Sequence, residues 1–193
     1  GSVASDPLLK AAAAGKQFGL VYEPALADGT LAGARKGSGN FTLIMRGRAA
    51  HAGRNPEQGR NAIVALAELT QALFALNGAR SGVTLNPGKI EGGGALNVVP
   101  DLALLRFNVR TQEVADEDWV LAELHKLVDN WSHKDGYQVE LHGHFTRKPK
   151  PIAPAIAALF AQVEAWDPKP RKKRRRQVEL QRELALRSEE RRV

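Results

Sequence analysis

Alternating apolar and polar positions in the central part of the chain predict a half-buried β-sheet. In residues 102–110, apolar side chains occupy every second position, and Arg106, Asn108 and Arg110 lie between them. Successive side chains of a strand point to opposite faces, so this segment presents one apolar and one polar face. Strand patterns also occur at 40–46, 83–91 and 137–141, and in a short apolar run at 18–22.

Two longer segments carry apolar residues at helical spacing. Residues 61–77 predict a helix, and its expected buried face comprises Ile63, Leu66, Ala67, Leu73 and Phe74, with Thr70 between them. A second helix begins at Asp116, and its apolar stripe comprises Val120, Leu124, Leu127, Val128 and Trp131. Shorter helices are predicted at 6–14, with Asp6 as the N-cap, and at 154–166.

The predicted elements from residue 40 to residue 141 follow the order strand, helix, strand, strand, helix, strand. A βαββαβ string typically folds as a four-stranded antiparallel sheet with both helices on one face. We therefore expect an α+β fold of the ferredoxin-like type. The other face and an edge of this sheet remain available for a partner.

The charge of the chain is concentrated at its C-terminal end. Residues 1–168 carry 17 basic and 17 acidic residues, so the net charge of +7 lies entirely within residues 169–193. No aromatic residue is interleaved with this basic run, so we interpret it as a solvated, disordered or helical tail and expect no nucleic-acid binding. The chain contains no cysteine, which excludes disulfides and thiolate metal sites.

No apolar run in the sequence is long enough to cross a membrane, and the first residues given lack the basic start and apolar stretch of a signal peptide. We expect a cytoplasmic protein with no membrane partner. Pro149 and Pro151 predict a stiff connection after the sheet unit, and the composition changes again after Trp166.

Two glycine-rich turns carry polar side chains suited to a ligand site. Residues 48–56 contain His51, and residues 92–100 contain Asn97. Glycine lets the backbone approach a ligand closely, and turns held by a rigid sheet commonly present binding residues. The residues of these turns do not by themselves complete a catalytic site.

The remaining histidines do not predict a metal site. His142 and His144 share one face of a strand and could hold an ion together, but no third ligand accompanies them, so we interpret them as an exposed pair. His133 and Asp135 follow a helix in a polar loop and are not assigned to a metal.

Several motifs together resemble one known protein family. The segments 35–41, 49–56, 59–62, 97–100 and 108–110 are similar in order and spacing to the dimerisation domain of the aminoacylase and carboxypeptidase G type of di-zinc metallopeptidases. The resemblance covers residues 1–166. It implies a dimerisation domain at 33–146, inserted into a larger α/β catalytic domain that contributes residues 1–32 and the return segment 147–166, with a basic tail at 167–193. The dimerisation domain would pair with a second copy to form a homodimer. The resemblance further implies zinc-dependent hydrolysis of amide or peptide bonds next to a free carboxylate.

The resemblance also implies roles for four residues. His51 would reach into the partner's active site and stabilise the oxyanion, Asn97 would hydrogen-bond the substrate, and Arg110 would bind its carboxylate. Glu23 would ligate one zinc ion. The alternatives are a backbone-bonded turn histidine for His51, a cap of the turn at Pro100 for Asn97, and a surface salt bridge for Arg110.

A zinc site needs three or four protein ligands, and the resemblance supplies only one within this chain. We therefore expect the chain alone to be inactive. The abrupt change of composition after Trp166 suggests a truncated or frameshifted piece of a longer gene. The alternative function is a non-catalytic dimerisation or interaction module whose basic tail binds an acidic partner.

Overall fold

The computed structural model describes residues 5–16 and 33–166. Residues 33–162 form one compact unit that contains the whole sheet, and the flanking residues belong to a second unit. The predicted strand at 18–22, Glu23 and the basic tail lie outside the described residues.

Four antiparallel strands form one sheet in the order β2-β3-β1-β4, and two helices, α2 and α3, cover one of its faces. The elements are α1 (Asp6–Ala13), β1 (Gly37–Arg46), α2 (Ala62–Ala75), β2 (Thr84–Gly92), β3 (Leu102–Thr111), α3 (Ala115–Ser132), β4 (Gln138–Arg147) and α4 (Pro154–Trp166). The predicted α+β fold is therefore confirmed. Strand β4 extends six residues beyond its predicted end at 141, because it pairs with β1 as far as Ser38.

A single apolar core lies between the sheet and the two helices. The predicted alternation along β3 is confirmed, since every second side chain from Ala103 to Val109 is buried. Phe41 of β1 stacks on Phe107 of β3 with ring centroids 5.5 Å apart. The largest fully buried aliphatic side chains are Leu43, Met45, Leu66, Leu69, Leu73, Leu105, Val109, Val120 and Leu124. Each such side chain contributes about 1.5–3 kcal/mol to folding.

The buried face of α2 differs from the predicted one. Its buried residues are Ala62, Ala65, Leu66, Leu69 and Leu73. Ile63, Ala67 and Phe74, which the spacing placed in the core, are exposed, and Phe74 retains 59% of its accessible surface. The helix is apolar on almost every side, so periodicity alone cannot decide which stripe meets the sheet. An apolar stripe therefore remains on the surface of α2.

The two ends of the sheet differ in what they carry. At the connection end, Arg35 and Lys150 exchange two backbone hydrogen bonds of 2.8 Å, so the segment that leads into β1 and the segment that follows β4 lie side by side. At the turn end, β1 ends and β3 begins, and both glycine-rich turns are found there. A strand of ten residues places these two ends about 30 Å apart.

Helix α1 is an exposed helix of eight residues in the other unit. Its N-cap is Ser5 rather than the predicted Asp6, which lies in the first turn and pairs with Lys10 at 2.7 Å. Among the described residues, no helix is long and apolar enough to span a membrane.

Candidate functional site

Backbone hydrogen bonds join the two glycine-rich turns into one surface at the turn end. The amide of Ala52 donates to the carbonyl of Asn97 over 2.9 Å, and the amide of Val99 donates to the carbonyl of Ala50 over 2.9 Å. His51 lies opposite Val98 in an isolated β-bridge between these bonds. The structure therefore brings His51 and Asn97 together.

The His51 ring is fixed by its own turn and remains exposed. Its Nδ1 accepts hydrogen bonds from the backbone amides of Gly53, at 3.1 Å, and Arg54, at 3.2 Å. With Nδ1 occupied as an acceptor, the neutral ring carries its proton on Nε2. His51 therefore bonds to the backbone of its own turn through Nδ1, as the alternative describes. Its Nε2–H remains available to donate to a ligand.

Close packing requires glycine at two positions that flank the first turn. A Cβ on Gly59 would lie 2.8 Å from the Val99 side chain, and a Cβ on Gly47 would overlap the carbonyl of Arg60. Neither position accepts a larger residue without moving a turn. Asn97 is exposed, and its side chain makes no hydrogen bond to the described residues, so the alternative role as a turn cap is not observed.

Arg110 lies far from the two turns. It is near the C-terminal end of β3, where it pairs with Ser38 of β1 and Thr84 of β2 at the connection end. Arg110 is eight positions along β3 from Leu102, a distance of about 27 Å. Within the described part of the chain Arg110 has no ion pair, so the alternative of a surface salt bridge is not observed. One copy of the sheet unit does not assemble His51, Asn97 and Arg110 into one site.

A second arginine accompanies Arg110, and the sequence does not predict it. Arg147 pairs with Ser38 from the other side, where the register of β4 shifts by one residue, so Arg110 and Arg147 flank Ser38. The Arg147 Nε is enclosed and has no hydrogen-bond partner among residues 5–16 and 33–166. Burial lowers the pKa of Arg147, and the positive charges of Arg35 and Arg110 lower it further. Only the unexpected length of β4 reveals this neighbour.

One of the two exposed histidines of β4 lies beside an acidic neighbour. His142 Nε2 lies 3.0 Å from Glu140 Oε2, and Glu140 also accepts from Arg46 Nε at 2.9 Å. These two hydrogen bonds, the one from Arg46 first, lower the pKa of Glu140. His142 and His144 lie on one exposed face, as the interpretation of an exposed pair requires.

Zinc does not fit the donor set of the described residues. Nowhere in residues 5–16 or 33–166 do three histidine, cysteine or acidic side chains come close enough to hold a metal ion. His133 follows the end of α3 as its C-cap and joins no such group. Glu23 lies outside the described residues, so its predicted role stays a prediction.

Comparison with known proteins gives a family and several relatives. Residues 33–135 match the family described as Peptidase dimerisation domain. The chain is similar to the indole-3-acetyl-aspartic acid hydrolase of Enterobacter agglomerans, with 34% identity over 102 residues, covering 52% of this chain and 23% of the relative. It is also similar to a chain of the p-aminobenzoyl-glutamate hydrolase of Escherichia coli K12, with 33% identity over 111 residues. That match covers 54% of this chain and 26% of the relative. The matched regions span about a quarter of the length of both relatives.

A solved structure agrees with these matches. The fold is similar to the crystal structure of an aminobenzoyl-glutamate utilization protein from Klebsiella pneumoniae, with a TM-score of 0.55 and 30% identity. That similarity covers 62% of this chain and 31% of the solved chain.

Proposed function

We infer that this chain, which belongs to the Peptidase dimerisation domain family, serves as the dimerisation domain of a zinc-dependent hydrolase that cleaves amide or peptide bonds next to a free carboxylate. The observation that carries the proposal is the joined surface of His51 and Asn97 at the turn end. The names of two relatives support the substrate class, since indole-3-acetyl-aspartic acid and p-aminobenzoyl-glutamate are both amides of acidic amino acids.

The proposed dimer forms through the edge of the sheet at β2 and the adjoining side of α2. Ile63 lies against Gly93, directly after β2, whereas Glu68 on the opposite side of α2 faces Lys134 at 3.8 Å. The apolar stripe of Ile63, Ala67 and Phe74 therefore lies on the β2 side of the helix. An exposed apolar stripe next to a strand edge that pairs with no other described strand is suited to self-association.

A two-fold dimer at this edge would place different ends of the two domains side by side. The two β2 edges run antiparallel, and the same patch is used on both protomers. Ile63 then lies beside the partner's Phe74, and the turn end of one domain lies beside the connection end of the other. His51 and Asn97 would thus serve the partner's active site, while Arg110 serves the catalytic domain of its own protomer.

The proposed roles follow from the chemistry of each group. His51 Nε2–H donates a hydrogen bond to the scissile carbonyl oxygen as it becomes an oxyanion, which is worth about 3 kcal/mol in a preorganised site. The Asn97 amide adds a hydrogen bond to the substrate, and the Arg110 guanidinium binds its carboxylate through two parallel bonds. In the reaction a water oxygen bonds to the carbonyl carbon, the C–N bond breaks, and the amine leaves with a proton from that water.

Zinc dependence is part of the proposal, although the described residues hold no ligand set for it. We therefore assign no step of the reaction to the metal. Its ligands, with Glu23 as the predicted member from this chain, would come from the catalytic domain.

A domain exchange tests this function. Residues 33–150 replace the corresponding domain of a full-length relative, and turnover is compared before and after His51→Ala. We expect kcat to fall about 100-fold, because one oxyanion donor is lost, while the melting temperature stays unchanged. His144→Ala, an exposed histidine of β4, is the matched control and should leave kcat unaltered. Unchanged turnover after His51→Ala would remove His51 from the reaction.

A further inference from the structure

The open face of the sheet carries two arginines beside Ser38 at the connection end. Arg110 of β3 and Arg147 of β4 both pair with Ser38, and the register of β4 shifts by one residue between Gly39 and Ser38. The charge of Arg110 acts on Arg147, whereas Lys148, the next residue, attracts Glu117 of α3 on the helix side, so Arg147 projects from the same face as Arg110. The Asn108 amide, which donates to Ser38 Oγ at 3.3 Å, marks this face as the one away from the helices.

These guanidinium groups have no counter-ion in the described part of the chain. No ion pair is formed there by Arg35, Arg110 or Arg147. Ser38 between the two strands is only 8% exposed, and the Nε of Arg147 is shielded without an acceptor. Like charges that share a partly desolvated site are unfavourable unless an anion joins them. The arrangement is therefore suited to a ligand with more than one negative charge.

We propose that Arg147 is a specificity residue that binds the second carboxylate of a dicarboxylic substrate, an N-acylated aspartate or glutamate, while Arg110 binds the first. This inference rests on the proposed function, which assigns Arg110 to a carboxylate. Strands lie about 4.8 Å apart, so the two Cα atoms are separated by about 10 Å across Ser38. From that separation two long side chains reach carboxylates that are two or three carbons apart, and each guanidinium pairs with one carboxylate.

The face is less suited to nucleic acid. Its two central strands present Ser38, Asn40, Thr42 and Ile44 from β1, and Leu102, Leu104, Arg106, Asn108 and Arg110 from β3. None of these side chains is aromatic, so the central strands offer no platform on which bases could stack.

Binding to the 193-residue chain tests the inference without any turnover. N-acetyl-L-glutamate and N-acetyl-L-glutamine, which differ in one carboxylate, are titrated while the arginine Nε–H signals are followed by NMR. We expect the diacid to bind about tenfold more tightly, because it makes a second charge-assisted pair, and to shift the Arg147 signal. Equal affinities for the two ligands would overturn the inference, as would tighter binding of inorganic phosphate than of the diacid.

Variants separate Arg147 from Arg110. Arg147→Gln should reduce the preference for the diacid to within about twofold and retain N-acetyl-L-glutamine binding, whereas Arg110→Gln should weaken both ligands. Arg106→Gln, on the same face but paired with Glu91 at 3.4 Å, is the matched control and should keep the preference. If Arg147→Gln does not fold, Arg147→Met, which also removes the charge, replaces it, and a preference that remains in the folded variant contradicts the inference. If Arg147→Gln keeps the preference for the diacid, the inference about Arg147 is wrong but the proposed function is unaffected. If Arg110→Gln binds both ligands as tightly as the parent, the result counts against the inference and against the proposed function.

Discussion

The backbone amide of Ala52 donates a hydrogen bond to the carbonyl of Asn97 over 2.9 Å, and this bond joins two turns that are distant in sequence. It places His51, whose Nδ1 is occupied by the amides of Gly53 and Arg54, next to a second exposed polar side chain. The pair lies at the end of the sheet away from Arg110. This separation is the reason why the proposed active site needs two protomers.

Self-association should depend on the exposed stripe of α2. We expect Phe74→Glu to raise the dimer dissociation constant at least about 100-fold, because it places a charge in a desolvated apolar contact. Sedimentation velocity over a range of chain concentrations measures this constant.

Val114→Glu provides the control for the dimer experiment. Val114 is an apolar residue at the start of α3, 50% exposed against 59% for Phe74, and it receives the same charge on the other helix. It should leave the dimer unchanged. A parent chain that is monomeric at every concentration, or equal effects of the two substitutions, would contradict the proposed interface.

The carboxylate of Asp116 should stabilise the start of α3. Its side chain is 4% exposed, and it accepts hydrogen bonds from Arg80 Nε at 2.6 Å and from the amides of Gln112 and Glu113 at 3.1 and 2.8 Å. We expect Asp116→Asn to lower the free energy of unfolding by about 2 kcal/mol near neutral pH, because buried donors lose a charged acceptor. Asp118 is an exposed neighbour, and Asp118→Asn should lower the free energy of unfolding by a few tenths of a kcal/mol at most.

The effect of Asp116 should depend on pH in a defined direction. Burial opposes ionisation of Asp116, but the hydrogen bonds from Glu113, Arg80 and Gln112 outweigh it and lower the pKa of the carboxyl. The stabilisation is therefore present above the pKa of the unfolded chain and is lost as the pH falls through the pKa of the folded chain. Urea unfolding should show that the difference in the free energy of unfolding between the parent and Asp116→Asn becomes smaller in acid. A difference that grows in acid would show that the assigned hydrogen bonds are wrong.

Glu117, the next residue, should behave in the opposite way. Its Oε1 is buried without a hydrogen-bond partner, and burial raises the pKa of the carboxyl against the attraction of Lys148. A raised pKa contributes stability below the pKa of the unfolded chain, and that stability is lost as the pH rises through the folded pKa. Glu117→Gln should therefore increase the free energy of unfolding near neutral pH, by less than about 1 kcal/mol, and less so in acid. A variant that is less stable than the parent near neutral pH contradicts this account.

The sequence predicts the fold from two kinds of pattern and fails where those patterns are weak. Alternation along β3 identifies both of its faces, because every second side chain from Ala103 to Val109 is buried. In β4 the alternation ends at His142 and Gly143, although backbone pairing with β1 continues to Arg147. Pairing is a tertiary property, so the sequence reveals neither the end of β4 nor the pairing of Arg147 with Ser38.

The same limit applies to the candidate site, where the resemblance predicts the residues but not how they are brought together. The resemblance names His51, Asn97 and Arg110, but the contact between the first two depends on backbone bonds that no local pattern encodes. The distance of Arg110 from Asn97 could have been derived from the sequence, since a strand of this length spans about 27 Å between Leu102 and Arg110.

The central claim is that His51 and Arg110 of one active site come from different protomers, and a mixed dimer tests it most directly. In the domain exchange proposed for His51, His51→Ala and Arg110→Ala are each made in separate chains, and the two inactive proteins are mixed and allowed to exchange protomers. Each mixed dimer then contains one site with both residues, and we expect roughly a quarter of the parent kcat to return for a two-fold dimer at statistical exchange. If the mixture stays as inactive as its components after exchange is verified, both residues act from the same protomer, which contradicts the claim.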